Sequence, residues 1–445
     1  MRLLSGVRPL LLATAAAVAL SACGETARLT IPENAGANPK LPEPTRTLIP
    51  TVKVADATGW PSGTMPTPAQ GLAVNAFATG LTHPRWLHVL PNGDVLVAET
   101  NAPPKETKGV RDWVMKQVMK KAGAGVPSPN RISLLRDTDG DGVAETKTTF
   151  LAGLKSPFGM AVVGNSLFVA NADGVVRFPY IEGATAIAAT GAPVTDLPAG
   201  LNHHWTKALI ASPDGTKLYA TVGSNSNVGE NGLAAEEGRA AIWEIDVATG
   251  RKRLFATGLR NPNGMGWEPT TGRLWTVVNE RDELGSDLVP DYLTSVRDGG
   301  FYGWPWSYWG QRVDTRVEPA RLEKVAKAIT PDYALGSHVA PLGLAFAAGS
   351  RLGPAFASGA FIGEHGSWNR NPPSGYKVVF VRFEKGKPVG LPVDVLTGFM
   401  VNGKARGRPV GVAVAKDGSL LVADDVGNTI WRVTAAAPAS GSPQA

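Results

Sequence analysis

Two short runs of the sequence carry side chains suited to proton transfer and to anion binding. His203 and His204 supply imidazoles, which titrate near neutral pH and can act as general bases. Arg260 and Asn261 supply a guanidinium fork that fits a carboxylate or phosphate, and an amide that both donates and accepts hydrogen bonds. Each pair also has a structural interpretation: one core and one exposed histidine, or an arginine that bridges loops.

Acidic side chains crowd a turn-rich stretch that begins about twenty residues after Arg260. Glu280, Asp282 and Asp287 offer hard oxygen ligands at spacings that a calcium site could use, or they are solvated acids. A second acidic run, residues 137–142, begins like a calcium loop, but Thr148 stands where the bidentate glutamate belongs. We interpret that second run as a hairpin turn.

The elements that must position these residues repeat along the chain. From Leu72 a pattern recurs: a proline turn, an alternating apolar strand, a turn built on Asn-Gly or Asp-Gly, and a second strand of Leu, Val and Ala. Such alternation around such a turn predicts a β-hairpin. Six divergent copies predict an all-β fold, a six-bladed β-propeller, with a β-sandwich as the alternative. The copies begin at His83, Ser156, His204, Arg260, Ala340 and Arg408.

One insertion interrupts the repeats with a helical pattern. Residues 107–122, TKGVRDWVMKQVMKKA, place apolar side chains near one face and basic side chains elsewhere, which predicts an amphipathic basic helix. It covers a blade edge, or it is a lid or a contact with anionic lipid.

The candidate side chains fall at the same relative place in several copies. His204 opens the third copy, Arg260 the fourth, and Arg406 and Arg408 the sixth, while the fifth contains the run GEHGSWNR. A propeller gathers one end of every blade around its channel, so these side chains should converge on one face. Convergence, more than any single residue, favours a functional site.

Composition and charge exclude several classes of protein. The 445 residues include 52 Gly and 35 Pro and are 43% hydrophobic, which indicates a turn-rich folded protein. The formal net charge of +6 is too small and too dispersed to indicate nucleic acid as a partner, but it is compatible with a small anionic ligand.

The first residues read as an export signal. Arg2 and Arg8 precede a short apolar run, residues 9–20, and small residues precede Cys23, the only cysteine. The segment resembles a bacterial lipoprotein signal with Cys23 as the lipidated residue, and Gly24 suggests the outer membrane. We therefore predict an exported, periplasmic protein on a lipid anchor. Its expected organisation is a signal peptide at 1–22, a Pro-rich tether at 23–70, the propeller at 71–435 and a disordered tail at 436–445.

Several motifs together carry a family resemblance. They are NHHWTK, GLRNPNG, NERDELGSDLVPDYL, GEHGSWNR, and GRPVGVAVAKDG with VADD. On these motifs residues 72–433 resemble the quinoprotein sugar dehydrogenases, closest to the L-sorbosone and aldose sugar dehydrogenase group and more distantly soluble quinoprotein glucose dehydrogenase. The resemblance implies a six-bladed propeller that binds pyrroloquinoline quinone (PQQ) and calcium. It also implies oxidation of a sugar and an electron acceptor such as a quinone or cytochrome c.

The resemblance also implies roles for individual residues. The family's base corresponds to His204, with His203 as the alternative, and Lys207 stands where the family has an arginine in its cofactor site. Arg260 and Asn261 match the family's cofactor-binding pair. The resemblance also implies that Arg408 and Arg406 bind the cofactor, and that the calcium is bound by Glu280, Arg281, Asp282 and Asp287. Six-bladed propellers also host metal-dependent lactonases and non-catalytic binding proteins, so a hydrolase and a surface binding protein remain alternatives.

Overall fold

The structure is a computed structural model that describes residues 25–45, 51–105, 109–200 and 204–437. The predicted signal peptide, Cys23, His203 and residues 438–445 of the predicted tail lie outside these ranges. Within the described ranges no helix is both long enough and apolar enough to span a membrane. Helices α1, α2 and α3 are Ile31–Asn34, Gly109–Lys121 and Leu322–Val325.

Strands make up most of the regular structure. Those of the first half are β1 (Asp56–Ala57), β2 (Thr67–Pro68), β3 (Leu72–Ala78), β4 (Pro84–Val89), β5 (Val95–Glu99), β6 (Arg131–Arg136), β7 (Thr146–Leu151), β8 (Met160–Val163), β9 (Ser166–Asn171), β10 (Gly174–Pro179), β11 (Ala192–Asp196), β12 (Leu209–Ala211), β13 (Lys217–Val222), β14 (Ala241–Asp246) and β15 (Lys252–Thr257). Those of the second half are β16 (Asn261–Trp267), β17 (Leu274–Asn279), β18 (Pro290–Ser295), β19 (Gly300–Phe301), β20 (Ser307–Tyr308), β21 (Arg312–Val313), β22 (Tyr333–Ser337), β23 (Pro341–Phe346), β24 (Gly359–Glu364), β25 (Lys377–Glu384), β26 (Lys387–Thr397), β27 (Met400–Val401), β28 (Lys404–Ala405), β29 (Pro409–Val414), β30 (Leu420–Asp424) and β31 (Thr429–Ala435).

The long strands form six sheets that follow one another along the chain. Sheet 1 is β4 to β7, sheet 2 is β8 to β11, sheet 3 is β12 to β15 with β19, and sheet 4 is β16, β17, β18 and β22. Sheet 5 is β23 to β26 with β2, and sheet 6 is β29 to β31 with β3. Because β3 pairs antiparallel with β31, the early and late parts of the chain share one sheet. The prediction of an all-β fold is confirmed.

A small residue at one recurring position lets the first strands of neighbouring sheets approach backbone to backbone. A Cβ on Gly264 would meet the main chain of β23, and a Cβ on Gly343 would meet the main chain of β29. The same holds for Gly411 against β4 and Gly159 against the start of β12. The recurring Pro-x-Gly of the sequence is therefore a close-approach site.

Apolar side chains fill the space between the sheets. Between sheets 4 and 5, for example, Trp275 and Tyr333 pack with Ile362 and Phe383, and all four are buried. Inner strands are accordingly buried on both faces, as Leu420–Asp424 illustrates with five buried residues in a row, four of them apolar.

The segment whose composition suggests a tether contacts the sheets at several points. Gly36 bridges to Ala334, and β1 pairs parallel with β28. Trp60 packs edge-on against Phe399 and Trp431. The predicted helical insertion is confirmed as α2, which connects β5 to β6.

Candidate active site

One end of the hairpins gathers the candidate side chains. Cross-strand pairs place Pro84 opposite Glu99, Asn261 opposite Asn279, and Pro409 opposite Asp424, so the start of each first strand lies beside the end of the second. We call this end of the molecule the site end. The main-chain N–H of His204 reaches the carbonyl oxygen of Ser224, just after β13, and places His204 there too.

Arg260 is buried and fastens the fourth sheet to the acidic turn that follows it. Its Nη1 donates to the carbonyl oxygen of Glu280 at 2.6 Å, and its Nη2 donates to Asn227 Oδ1 at 3.0 Å and to Asp282 Oδ2 at 2.7 Å. With the carbonyl oxygen of Asn279 as a fourth, longer contact at 3.4 Å, this buried arginine is held rigidly, so the direction of its remaining Nε–H is fixed.

Asp282 is the charged centre of this turn. Its Oδ1 accepts a hydrogen bond from Asn369 Nδ2 at 2.7 Å and lies 3.6 Å from Nδ1 of His338. Burial favours the neutral acid, but Arg260 and His338 outweigh it and hold the pKa of Asp282 below its usual value. Burial also opposes the charge on His338, yet Asp282 raises the pKa of that histidine above its usual value.

Glu280 has a different environment although it is two residues away. Its Oε1 accepts a hydrogen bond from the main-chain N–H of Arg281, while Oε2 is buried and has no hydrogen-bond partner among the described residues. Burial raises the pKa of Glu280 to about 7. A buried carboxylate oxygen that lacks a donor is suited to a cation.

The family resemblance also implies that Arg281 and Asp287 belong to the metal site. In the structure both side chains contact other groups of the protein. Arg281 is buried and forms an ion pair with Asp314, and its Nη2 donates to the carbonyl oxygen of Asp282 at 2.9 Å. The Oδ2 atom of Asp287 accepts the main-chain N–H groups of Arg28 at 2.5 Å and Leu29 at 3.0 Å. The structure thus brings Arg260, Glu280, Arg281 and Asp282 together, and places the carboxylate of Asp287 against the N-terminal segment.

His204 is half-buried and oriented by Ser224. Its Nδ1 lies 2.9 Å from the carbonyl oxygen of Ser224 and 3.1 Å from the hydroxyl. Because a carbonyl oxygen can only accept, this contact places the proton of the neutral ring on Nδ1 and the basic lone pair on Nε2. A Cβ on Gly223 would collide with both His204 and Asn261, so those two side chains are neighbours. The site ends of the third and fourth sheets therefore contact each other here.

Lys207 and Arg406, two further cations transferred from the family, have contacts of different kinds. Lys207 is buried, and its Nζ donates to the carbonyl oxygen of Trp205 at 3.3 Å. Burial lowers the pKa of Lys207 to about 7, and the positive charge of Arg239 adds to this effect. Arg406 is partly exposed, and its main-chain N–H donates to the carbonyl oxygen of Phe399.

A second charged cluster joins three sheets at the site end. Asp425 follows β30, and its Oδ2 lies 2.6 Å from Nη1 of Arg85, 2.9 Å from Nε2 of His365 and 3.7 Å from Nε2 of His83. Burial favours the neutral acid, but His365, His83 and Arg85 together lower the pKa of Asp425. Burial in turn lowers the pKa of His365 to about 4. We call these four residues the Asp425 cluster.

Arg408 lies beside this cluster and is held by an aromatic ring. Its Nη2 donates to the hydroxyl of Tyr376 at 2.8 Å, and its guanidinium carbon lies 5.0 Å from the centre of that ring. Its main-chain N–H donates to Asp424. Sequence reasoning gave no role to Arg85, Tyr376 or Asp425. The signal that could have found two of them is position: HPR and VADD stand at the same hairpin end as the residues that were named.

Several buried polar atoms of the site end have no hydrogen-bond partner among the described residues. They include Nε of Arg85, Arg260 and Arg408, Nε1 of Trp306, Oδ1 of Asn261 and Oε2 of Glu280. Orphaned buried polar atoms are rare in proteins and usually meet a ligand or water. Three guanidinium donors fit an anion, and one carboxylate oxygen fits a cation.

The acidic run at 137–142 lies at the opposite end of sheet 1, in the hairpin turn between β6 and β7. Carboxylate oxygens of Asp137, Asp139, Asp141 and Glu145 lie within 4.8 Å of one another, and three of the four residues are exposed. Several of these carboxylates accept main-chain N–H groups of the turn itself, as Asp137 does from Gly140 and Gly142.

Comparison with known protein families identifies the family of this chain. The sequence profile of the TrAA12-like family matches residues 66–291 and 322–436, which is most of the chain. The chain belongs to the TrAA12-like family. The predicted relationship to PQQ-dependent sugar dehydrogenases is confirmed.

Two relatives of this TrAA12-like chain match only part of it. An uncharacterized protein of Borreliella burgdorferi is 32% identical over 233 residues, covering 52% of this chain and 60% of that protein. A pyrroloquinoline quinone-dependent sugar dehydrogenase of Hypocrea jecorina is 24% identical over 271 residues, covering 55% and 57%. The chain therefore spans less than two thirds of the length of either relative.

Solved structures share the fold of this TrAA12-like chain. An iodide structure of the Trichoderma reesei family AA12 enzyme has a TM-score of 0.68 at 20% identity, covering 88% of this chain and all of that one. The holo form of the PQQ domain of Coprinopsis cinerea pyranose dehydrogenase has a TM-score of 0.66 at 21% identity, covering 86% and all of that domain.

The contacts of Asp287 predict that it anchors the N-terminal segment. In Asp287→Ala the N–H groups of Arg28 and Leu29 lose their acceptor, so we expect faster hydrogen exchange at both amides and a loss of about 1–3 kcal/mol in the free energy of unfolding. Exchange mass spectrometry and urea denaturation measure these effects. Asp298→Ala, which breaks an exposed pair with Arg253, is the control and should leave exchange at residues 25–34 unchanged. Equal protection in both variants would contradict the anchoring role.

The burial of Lys207 predicts a specific pH dependence of stability. Its folded pKa lies near 7, below the usual 10.5, so between these values the unfolded chain binds more protons and stability rises with pH. Relative to Lys207→Met, the wild type should gain about 1–2 kcal/mol in the free energy of unfolding from pH 7 to pH 9. Urea denaturation of both proteins at the two pH values tests this, and parallel pH profiles would contradict it.

Proposed function

We propose that this protein is a PQQ- and calcium-dependent dehydrogenase that oxidises a sugar, an aldose or a sorbosone-like substrate. The observation that carries the proposal is the set of orphaned donors on Arg85, Arg260 and Arg408, which stand at the site end with the orphaned acceptor of Glu280. PQQ carries three carboxylates and a quinone, so both its charge and the metal that accompanies it match this set. The family relationship supports the same conclusion.

We also propose that the six sheets are the blades of a closed propeller. First strands contact one another in the order β4, β8, β12, β16, β23, β29 and back to β4. The sharing of sheet 6 between β3 and β31 supports closure, because it ties the two ends of the repeat region together. In such a ring the site end of every first strand lies around one channel.

Different residues of the site end would bind the cofactor and the calcium. Arg260 and Asn261, beside His204, would bind one edge of the cofactor, and Arg408 with Arg85 would bind the other through carboxylates. Glu280, with main-chain carbonyl groups of its turn, would hold the calcium. The bound PQQ would supply the quinone that accepts a hydride, and the calcium would polarise it.

His204 would be the general base. With its Nδ1 proton held by the carbonyl oxygen of Ser224, the lone pair of Nε2 takes the proton from a sugar hydroxyl. His203, the alternative base, lies outside the described residues. A lactonase-type hydrolase would surround a metal with acids and amides, whereas the arginines and histidines here favour an anionic cofactor.

The test is reconstitution of the purified apo-protein with PQQ and calcium, followed by reduction of an uncharged benzoquinone with a panel of aldoses and sorbosone. We expect activity in the wild type and a fall in kcat of about 10²–10⁴-fold in His204→Gln. His203→Gln is the matched control and should keep most of the activity. Wild-type protein that binds no PQQ and reduces no acceptor would refute the function, and loss in His203→Gln alone would exchange the two histidines.

We further propose that the protein is exported and lipid-anchored through Cys23, in the periplasm at the outer membrane. The support is the basic, apolar and small-residue order of residues 1–22. Cells grown with labelled palmitate should yield labelled protein, and Cys23→Ala should abolish the label and release the protein from the membrane fraction. Label retained in Cys23→Ala would contradict the anchor.

A further inference from the structure

The helical insertion stands at the site end of the molecule. It connects the end of β5 to the start of β6, and Glu99 pairs with Arg131 across its base. Asn101 fixes its exit by donating to the carbonyl oxygen of Val126 at 2.6 Å. The insertion is therefore mounted on the same hairpin ends as the candidate active site.

The turn after α2 packs directly on the rim of the Asp425 cluster. A Cβ on Gly123 would meet the side chains of Val426 and Ala57, so this turn touches them closely. Val426 is the residue after Asp425, and Ala57 belongs to β1, which pairs with β28 at Lys404–Ala405. The insertion thus borders the part of the site end where Arg85, His365 and Arg408 lie.

The outer surface of the insertion combines basic and apolar side chains. Lys116, Lys120 and Lys121 are exposed along the described part of the helix. Trp113 is 57% exposed and Val126 is 40% exposed, so apolar surface lies among these lysines. We call these five residues the basic patch.

We propose that the basic patch is the docking surface for an acidic electron-transfer protein that re-oxidises the active site. This inference rests on the proposed function. Each sugar oxidised delivers two electrons and two protons to the site. A haem or copper protein accepts one electron at a time, so two such molecules must dock in turn while two protons leave to water.

Position and charge select this partner. The groups that would hold the cofactor are buried, so an acceptor protein must dock at the site end to bring its redox centre close. The basic patch lies on that rim, and its lysines attract an acidic surface over roughly a Debye length, about 10 Å at 0.1 M salt. Transient electron-transfer complexes use small interfaces with an apolar centre and a charged rim, which Trp113 and Val126 among lysines provide.

The experiment uses mitochondrial cytochrome c, which is basic, and the same cytochrome with succinylated lysines, which is acidic. Surface plasmon resonance measures binding of each to the protein without any cofactor. Stopped-flow spectroscopy then measures reduction of each by the sugar-reduced, PQQ-loaded protein, with the uncharged benzoquinone as a second acceptor. Salt is varied from low to physiological ionic strength.

The proposal predicts that the succinylated form binds and is reduced about tenfold faster than the native form, and that salt weakens this preference. In Lys120→Glu/Lys121→Glu the preference should be lost or reversed, with benzoquinone reduction unchanged. Lys385→Glu/Lys387→Glu is the matched control. It makes the same charge change in the turn between β25 and β26, at the opposite end of sheet 5, and should behave like the wild type.

Failure of the two proposals can be told apart. If benzoquinone is not reduced, the proposed function fails, and binding of the succinylated cytochrome still tests the basic patch. If benzoquinone is reduced but both double variants prefer the acidic cytochrome as the wild type does, the docking surface is wrong. If the patch binds phosphatidylglycerol vesicles and not the acidic cytochrome, it faces a membrane and the proposal is overturned.

Discussion

The architecture depends on how closely the first strands of neighbouring sheets approach. At Gly159, Gly264, Gly343 and Gly411 the main chain of the next first strand occupies the space of a side chain. Such close contact fixes the register between neighbouring first strands. A shift along the strand direction would bring a Cβ atom into a steric clash with the backbone of the next strand. His204 stands four residues before Ala208, the corresponding position of the third sheet, and Arg260 stands four before Gly264. The equal offsets bring these two residues to the same level, as Ser224 shows: its main-chain N–H donates to the carbonyl oxygen of Arg260, and its carbonyl oxygen accepts the N–H of His204.

Ion pairs then add to the positioning of the site-end residues that the strand register provides. The site end holds two carboxylates that stay charged, half-buried Asp282 with Arg260 and buried Asp425 with Arg85. Each ties together parts of the chain that are distant in sequence, since Asp282 contacts Asn369 and Asp425 contacts Arg85. Removing one partner of a buried pair typically costs about 3–5 kcal/mol, because the other charge is left without compensation. The pairs are also incomplete: each arginine keeps a buried Nε–H that finds no acceptor in the described part of the chain. The protein therefore stabilises guanidinium groups and still leaves part of each available to an anion.

The sequence predicted the all-β fold, the helical insertion and the residues that follow a recurring pattern. His204, Arg260 and Arg408 could be found because they open the third, fourth and sixth repeats. Arg85 and Asp425 stand at the same hairpin end, but their ion pair could not be predicted, since it spans 340 residues. The N-terminal segment has no periodicity because its partners are single groups, such as the acceptor that Asp287 provides for Leu29. Contacts of this kind leave no local signature, so only the folded chain reveals them.

Two acids of the same loop show how such contacts assign roles. Glu280 and Asp287 are both buried carboxylates of the kind that bind calcium. Asp287 already accepts two main-chain N–H groups from a segment more than 250 residues away, so a cation there would have to compete with those donors. Glu280 has one oxygen that receives no hydrogen bond within the ranges the structure describes, and burial raises its pKa to about 7, so a cation would relieve an existing cost. The loop thus combines one acid that holds the N-terminal segment in place with another whose environment favours a metal, and their spacing alone gives no hint of the difference.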